Sequence, residues 1–71
     1  MADYYVGMKQ ETFLVHNMCH IRRRERVFDY EGGYVSEYQW DDGSIILILW
    51  SRRFDQLRII YIEEQRGISR L

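Results

Sequence analysis

Three potential metal ligands lie within residues 16–20 of the chain: His16, Cys19 and His20. Zinc prefers imidazole nitrogens and thiolates, and histidines four residues apart share one face of a helix, where both can reach a single ion. His16 and His20 would also share one face of a strand. In either geometry Cys19 points elsewhere, and the sequence contains no second cluster of such ligands. We therefore predict neither a metal site nor a cofactor.

The same residues bring a thiol close to an imidazole, which is the starting point for nucleophilic catalysis. Such a pair needs a third group that orients the base, and neighbours in sequence seldom reach the required mutual geometry. The sequence has no glycine-rich phosphate loop and no recognised nucleophile motif. We predict that the protein is not an enzyme and that Cys19 is a small, buried apolar residue.

A basic run at residues 21–26 is the second feature with chemical potential. Its four arginines are Arg22, Arg23, Arg24 and Arg26. Guanidinium groups match the geometry of phosphates, and nearby tyrosines can stack on bases, so one hypothesis is a small RNA- or single-stranded-DNA-binding domain. The opposing interpretation stacks these arginines on rings across a hairpin, with Arg24 opposite Trp40 and Arg26 opposite Tyr38. A net charge of −1 favours that interpretation, because attraction of nucleic acid needs a basic field.

Negative charge is concentrated in the middle of the chain. Residues 29–49 carry five acidic groups and no basic ones, whereas the segments before and after them each carry five basic and three acidic groups. The five acids are Asp29, Glu31, Glu37, Asp41 and Asp42. Aromatic residues are interleaved with them, so the stretch has the alternation of an amphipathic hairpin. We predict that the rings face the interior and that the carboxylates face water.

Length and composition limit what must position these residues. A chain of 71 residues forms a single domain over residues 1–71 with a thin core. The longest apolar run covers residues 45–50, far short of the roughly 20 residues that a membrane helix needs. The lone cysteine argues against a disulfide-stabilised secreted domain. We expect a cytoplasmic protein without membrane contact.

The hairpin signals predict an antiparallel meander. Residues 24–30 and 34–40 flank a glycine-containing loop at residues 31–33. The pair Asp42-Gly43 is a strong signal for a two-residue turn into residues 45–50, and residues 57–63 form a further strand. With those turns, alternation places one set of side chains inward: Phe28, Tyr30, Tyr34, Ser36, Tyr38, Trp40, Ile45, Leu47 and Leu49. It places Ile46, Ile48 and Trp50 on the outer face.

The conformation of residues 9–24 stays open at this point. Leu14, Met18 and Ile21 fit the spacing of a helix, whereas Phe13, Val15, Cys19 and Ile21 fit that of strands. The richness in β-branched and aromatic residues favours strands. The predicted fold class is therefore mainly β, a small antiparallel meander or barrel of about five to six strands. The rival is an α+β fold, in which a helix at about 9–24 packs on a four-stranded sheet and covers Ile46, Ile48 and Trp50.

These expectations combine into a functional hypothesis. Acids on the outer face would meet a protein with a basic surface, and outward-facing Ile48 and Trp50 would supply apolar contacts. The predicted contact residues are Asp29, Glu31, Glu37, Asp41, Asp42, Ile48 and Trp50. A small acidic-faced protein of this kind would block a nucleic-acid-handling partner, as compact inhibitors from phages and mobile elements do. The exposed apolar group also predicts a homodimer.

Overall fold

The computed structural model describes residues 3–65, which form one antiparallel sheet with a short helical segment on one face. Helix α1 covers Gln10–Asn17 and continues into a 3-10 helix, Met18–His20. Four strands follow: β1 Ile21–Tyr30, β2 Gly33–Trp40, β3 Ile45–Arg53 and β4 Gln56–Gln65. Their order in the sheet is β1-β2-β3-β4, so every strand pairs with its neighbour in sequence.

The mainly β, antiparallel meander is therefore confirmed. The sheet is open and has four strands within residues 3–65, because residues 10–20 are helical instead of forming further strands. The α+β alternative is equally compatible, since its helix lies over the face that carries Ile46, Ile48 and Trp50. None of the helices described is long and apolar enough to cross a membrane.

Helix α1 closes the core through a single aromatic side chain. Phe13 is fully buried, and its ring centroid lies 5.0 Å from that of Tyr38 and 5.5 Å from that of Trp50. The buried hydrophobic residues are Met8, Phe13, Tyr38, Trp40, Ile46, Ile48, Trp50 and Ile59. The seven besides Phe13 come from the sheet or from the segment before the helix. The helix therefore covers a core that is mostly built by strands.

The turn between β2 and β3 decides which face of β3 is inside. It is a three-residue loop, Asp41 to Gly43, in which the amide of Gly43 donates to the carbonyl of Trp40 and Gly43 has a φ of 92°. A type I turn followed by a residue with positive φ is a common three-residue hairpin loop. The two-residue turn predicted from Asp42-Gly43 was wrong by one residue, and a one-residue change in register reverses every side chain of the strand.

As a consequence, two predicted contact residues are in the core. Ile48 and Trp50 are both 0% exposed and lie beneath α1, whereas Ile45, Leu47 and Leu49 lie on the opposite face. The expectation that Ile48 and Trp50 contact a partner is therefore wrong. The predicted inward orientation of the β2 side chains is confirmed, because Ser36, Tyr38 and Trp40 are all buried.

A tight turn and a bulge change the pairing of β1. The turn contains only Glu31 and Gly32, so Tyr30 pairs with Gly33 and the predicted loop of residues 31–33 was one residue too long. The two-residue turn places Phe28 opposite Val35, on the face away from the helix, and a register shift between Arg26 and Phe28 then places Arg26 opposite Ser36. Phe28 is 62% exposed, which corrects its predicted place in the core.

The face of the sheet away from α1 is not covered by any described residue. One row of side chains across its four strands is apolar: Phe28, Val35, Leu49 and Tyr61. The next row contains three glutamates around a leucine: Glu25, Glu37, Leu47 and Glu63. An antiparallel sheet with one face on the core and the other in solvent is a common arrangement, and its outer face is normally mixed in polarity.

The turn between β3 and β4 adopts an unfavourable backbone conformation for its residue types. Phe54 and Asp55 have φ values of 52° and 67°, as a type I′ turn requires, yet neither is glycine. A left-handed conformation costs an L residue roughly 1–2 kcal/mol, and Asn-Gly is the preferred pair for this turn. The Phe54 ring is 94% exposed, so packing contributes little to offset the cost.

We expect the double substitution Phe54→Asn with Asp55→Gly to raise the free energy of unfolding by about 1 kcal/mol. The gain comes from relieving the positive-φ cost at both positions without disturbing the core. In a domain of this size it corresponds to a melting temperature about 4–8 °C higher. Thermal unfolding followed by circular dichroism measures it. The matched control, Phe54→Ala, removes the exposed ring but keeps the strained backbone and should leave stability nearly unchanged; an equal gain in both variants would contradict the explanation.

Candidate functional site

The five predicted contact acids do not form one surface. Asp41 and Asp42 lie in the loop between β2 and β3, whereas Asp29 and Glu31 lie at the other end of the β1–β2 hairpin. The eight residues of β2 separate these ends by about 25 Å, at roughly 3.3 Å per residue. Glu37 lies between them, on the uncovered face of the sheet, directly opposite Glu25.

A cleft opens beside the loop that carries Asp41 and Asp42. Its volume is about 770 Å³. The residues that line it are Tyr4, His20, Trp40, Asp41, Asp42, Ser44, Ile45, Ile46, Glu64 and Gln65. Three carboxylates therefore surround a partly apolar floor. We call this region the acidic cleft.

Asp41 is held in place on the side of the acidic cleft nearest the helix. Its Oδ2 lies 3.0 Å from Nδ1 of His20, and its backbone amide donates to the carbonyl of His20 at 2.8 Å. These two contacts tie the loop between β2 and β3 to the 3-10 helix. Both side chains remain partly exposed, at 39% for His20 and 48% for Asp41. The carboxylate of Asp41 therefore keeps access to solvent or to a ligand.

Asp42 shapes the loop itself. Its Oδ1 accepts hydrogen bonds from the backbone amide and from the hydroxyl of Ser44, at 2.9 and 2.7 Å. An aspartate that bonds the backbone two residues ahead is a common stabiliser of turns. The loop with its two adjacent acids is therefore a defined structure.

The far side of the acidic cleft is built from residues distant in sequence. The Tyr4 ring stacks on Trp40, with centroids 6.0 Å apart and planes 12° from parallel, and the Tyr4 hydroxyl donates to Oε2 of Glu64. Burial, and secondarily the neighbouring Glu64 carboxylate, raise the pKa of Tyr4 to about 12. Tyr4 is thus a neutral hydrogen-bond donor at physiological pH.

The arginine run is divided between the two faces of the sheet. Arg24 pairs with Tyr38 and Arg26 with Ser36, on the side of α1, whereas Arg23 pairs with Gln39 on the uncovered side. A register shift between Ile21 and Arg23 leaves Arg22 outside the regular pairing. The four arginines therefore do not form one continuous patch.

Only one arginine of the run at residues 22–26 stacks on a ring, and its partner differs from the predicted one. The guanidinium carbon of Arg26 lies 4.0 Å from the centroid of Tyr34, and its Nε donates to Oδ1 of Asp29 at 2.6 Å. The expected pairs, Arg24 with Trp40 and Arg26 with Tyr38, were wrong by two residues, because the tight turn and the register shift between Arg26 and Phe28 each move the pairing by one. Asp29, predicted as a partner contact, instead pairs within the chain.

The histidines and the cysteine of residues 16–20 are dispersed. His16 faces Asp3, with Nδ1 3.2 Å from Oδ2, while His20 contacts Asp41 on another side of the molecule. Cys19 is exposed and unpaired as a disulfide, so its expected burial was wrong. Between residues 3 and 65, no three His, Cys, Asp or Glu side chains are grouped closely enough to hold a metal ion.

Tyr4 and Glu64 were not identified from the sequence. They come together only because the N-terminal segment pairs with β4: the amide of Gly7 donates to the carbonyl of Ile59 at 2.7 Å, and the amide of Ile59 donates to the carbonyl of Met8 at 2.9 Å. No local pattern around either residue signals this contact. Comparison with known proteins adds nothing further, since no family model, no curated protein and no solved structure matches the chain.

Proposed function

We propose that this protein is a non-enzymatic, cytoplasmic protein-binding module whose acidic cleft receives an arginine or lysine side chain of a basic partner. The observation that carries the proposal is the convergence of Asp41, Asp42 and Glu64 around one cleft with a partly apolar floor. In biological terms we propose a small inhibitor or accessory protein, of the kind that phages and mobile elements encode, that occupies the basic surface of a nucleic-acid-handling protein.

The charges of the acidic cleft suit a cation. Three carboxylates line it, and no lysine or arginine does so among residues 3–65. Hydrogen bonds between a guanidinium or ammonium group and a carboxylate are about twice as strong as neutral ones. Asp41 offers a partly exposed carboxylate as an anchor, and Glu64 lines the same cleft.

The floor of the acidic cleft suits the apolar part of the same side chain. Lysine and arginine carry methylene stems that pack on apolar surface while their charged ends stay among polar groups. Tyr4 and Ile45 line the cleft, are only partly buried and supply such a surface. A volume of about 770 Å³ has room for more than one side chain, which fits a basic segment better than an isolated residue.

The other acids that were predicted to contact a partner do not line the acidic cleft. Glu31 and Asp29 lie at the far end of the sheet, and Glu37 lies on the uncovered face. The homodimer loses the residues on which it depended, because Ile46, Ile48 and Trp50 are buried under α1. On the uncovered face, the rings of Phe28 and Tyr61 remain exposed and could serve a dimer.

Binding of a short arginine-rich peptide tests the proposal. We expect the double variant Asp41→Asn with Glu64→Gln to bind the peptide about ten-fold more weakly or worse, because each substitution removes a charge while keeping the shape of the side chain. The control, Asp29→Asn with Glu31→Gln, removes the same charge at the far end and should bind nearly as the parent does. Isothermal titration calorimetry measures the affinities, and amide shifts in NMR spectra locate the peptide.

Two outcomes would contradict the acidic cleft. Equal weakening in both double variants would mean diffuse attraction by net charge, and shifts centred away from residues 40–45 would place the peptide elsewhere. A gel-shift assay with single- and double-stranded oligonucleotides tests the alternative function. Salt-sensitive retention that is lost when Arg22, Arg23 and Arg24 become alanine would favour the nucleic-acid-binding domain instead.

A further inference from the structure

A second concave region lies on the side of the sheet that carries the helix, between α1 and the edge strand β1. Its volume is about 320 Å³. The residues that line it are Gln10, Leu14, Arg24, Glu25, Arg26, Tyr34, Ser36 and Tyr38. It shares none of these residues with the acidic cleft, and its charge is the opposite, with two arginines and one glutamate. We call it the basic groove.

The floor of the basic groove holds two buried hydroxyl groups. Tyr38 is 2% exposed and Ser36 is 6% exposed. The indole Nε1 of Trp50 donates to the Tyr38 oxygen at 3.0 Å, and Ser36 lies two residues before Tyr38 on the same face of β2. Buried polar groups almost always have partners, so the use of each proton can be followed.

One hydroxyl proton of this pair has no acceptor among the described residues. Each of the two hydroxyls carries one proton, and even a bond between them would use only one of the two. The bond from Trp50 brings a further proton to the Tyr38 oxygen and takes none away. Burial raises the pKa of Tyr38, so both hydroxyls stay protonated at physiological pH. No group within residues 3–65 accepts the remaining proton.

Two guanidinium groups stand beside that proton. Arg24 pairs across the strands with Tyr38, and Arg26 pairs with Ser36. Within residues 3–65, Arg24 makes no ion pair, while Arg26 uses its Nε for Asp29 and rests on the Tyr34 ring. No described acceptor therefore uses the terminal N–H groups of Arg26 or any guanidinium N–H group of Arg24.

We propose that the basic groove is an oxyanion-binding site, which takes a phosphate or carboxylate group of a small ligand. A convergent set of donors, two guanidinium groups and one buried hydroxyl, matches the several acceptor oxygens of such a group. A volume of about 320 Å³ lies at the small end of ligand pockets, roughly 300–1,000 Å³, and leaves room for a modest organic part against Leu14 and Tyr34. The proposal is independent of the acidic cleft.

Titration of the isotope-labelled protein with inorganic phosphate, and separately with acetate, at constant ionic strength tests the site. The indole resonance of Trp50 is the key reporter, because its N–H donates to the Tyr38 oxygen. We expect that resonance to shift in a saturable way with at least one of the two anions. Shifts with phosphate alone, or with acetate alone, identify the chemical source of the oxyanion.

Neighbouring arginines provide the matched variants. Arg24→Gln should weaken binding about ten-fold or more, because it removes a charged guanidinium group, and its hydrogen bonds to the anion, from the basic groove. Arg23→Gln makes the same change in net charge one residue away, on the uncovered face, and should bind as the parent does. Both residues are exposed, so both variants should fold. Equal weakening in the two variants, or no movement of the Trp50 indole with either anion, would overturn the proposal.

Discussion

Replacing Gly33 with alanine is expected to lower the free energy of unfolding by about 3 kcal/mol or more. A Cβ atom at this position would lie 1.9 Å from the carbonyl oxygen of Trp50, far inside contact distance, and 2.9 Å from the Tyr30 hydroxyl. The obstacle is backbone and cannot rotate away. Trp50 is fully buried, and its carbonyl accepts a hydrogen bond from the Tyr30 hydroxyl at 2.5 Å, so relief would require β2 and β3 to separate.

Denaturant unfolding followed by tryptophan fluorescence measures the loss. The adjacent glycine supplies the control: Gly32 has a φ of 94°, and nothing lies within 4 Å of a Cβ built there. Gly32→Ala therefore incurs only the positive-φ cost, roughly 1–2 kcal/mol. If the two alanine variants lost equal stability, steric contact with Trp50 would not be the reason that position 33 is glycine.

Asn17→Ala is expected to cost about 3 kcal/mol, an effect large for one polar side chain. Asn17 is 0% exposed and makes three hydrogen bonds. Its amide nitrogen donates to the carbonyls of Asp3 and Phe13, both at 2.8 Å, and its oxygen accepts from the backbone amide of Asp3 at 2.9 Å. Removing the side chain takes the partner from the backbone amide and carbonyl of Asp3 and opens a cavity beneath the helix.

The same unfolding experiment measures this change, with Val15→Ala as its control on the same helix. Val15 is 75% exposed, so its truncation should change stability by less than about 0.5 kcal/mol. A second readout follows the N-terminal segment directly, since the amide resonance of Asp3 should lose its downfield position in the Asn17 variant. A loss no greater than that of Val15→Ala would show that Asn17 does not hold the segment to the helix.

The parts of the fold that depend on local sequence were predictable. Alternation in β2 correctly placed Tyr38 and Trp40 in the core, because both faces of a strand can be assigned without knowing its neighbours. The turn signals correctly located the hairpins. Two loop lengths were off by one residue, since Asp42-Gly43 fits both a two-residue turn and the end of a three-residue loop. The predicted strands 45–50 and 57–63 left six residues between them, whereas a two-residue turn joins β3 to β4.

The parts that depend on distant contacts were not predictable. The sheet face that carries Ile48 and Trp50 is apolar and needs a cover, and this decided that part of residues 9–24 forms a helix. The helix covers that face with Phe13. Tyr4 and Glu64 complete the acidic cleft from opposite ends of the chain. The side chains of Ser36 and Tyr38 were predicted to face inward. Whether their hydroxyl protons find acceptors depends on groups of other strands, such as the Trp50 indole, which the local sequence does not reveal.

The pairing of residues 7–9 with β4 has a consequence for how the chain folds. All other strand pairings join sequence neighbours and close short loops, which form quickly. Docking of the N-terminal segment closes the longest loop, so it is expected to follow hairpin formation and to open first. The backbone amides of Gly7 and Ile59 would then exchange with deuterium in one shared fluctuation, earlier than those at the centre of β3. Tyr4 of this segment lines the acidic cleft, so the cleft would lose that wall whenever the segment detaches and regain it when the segment docks again.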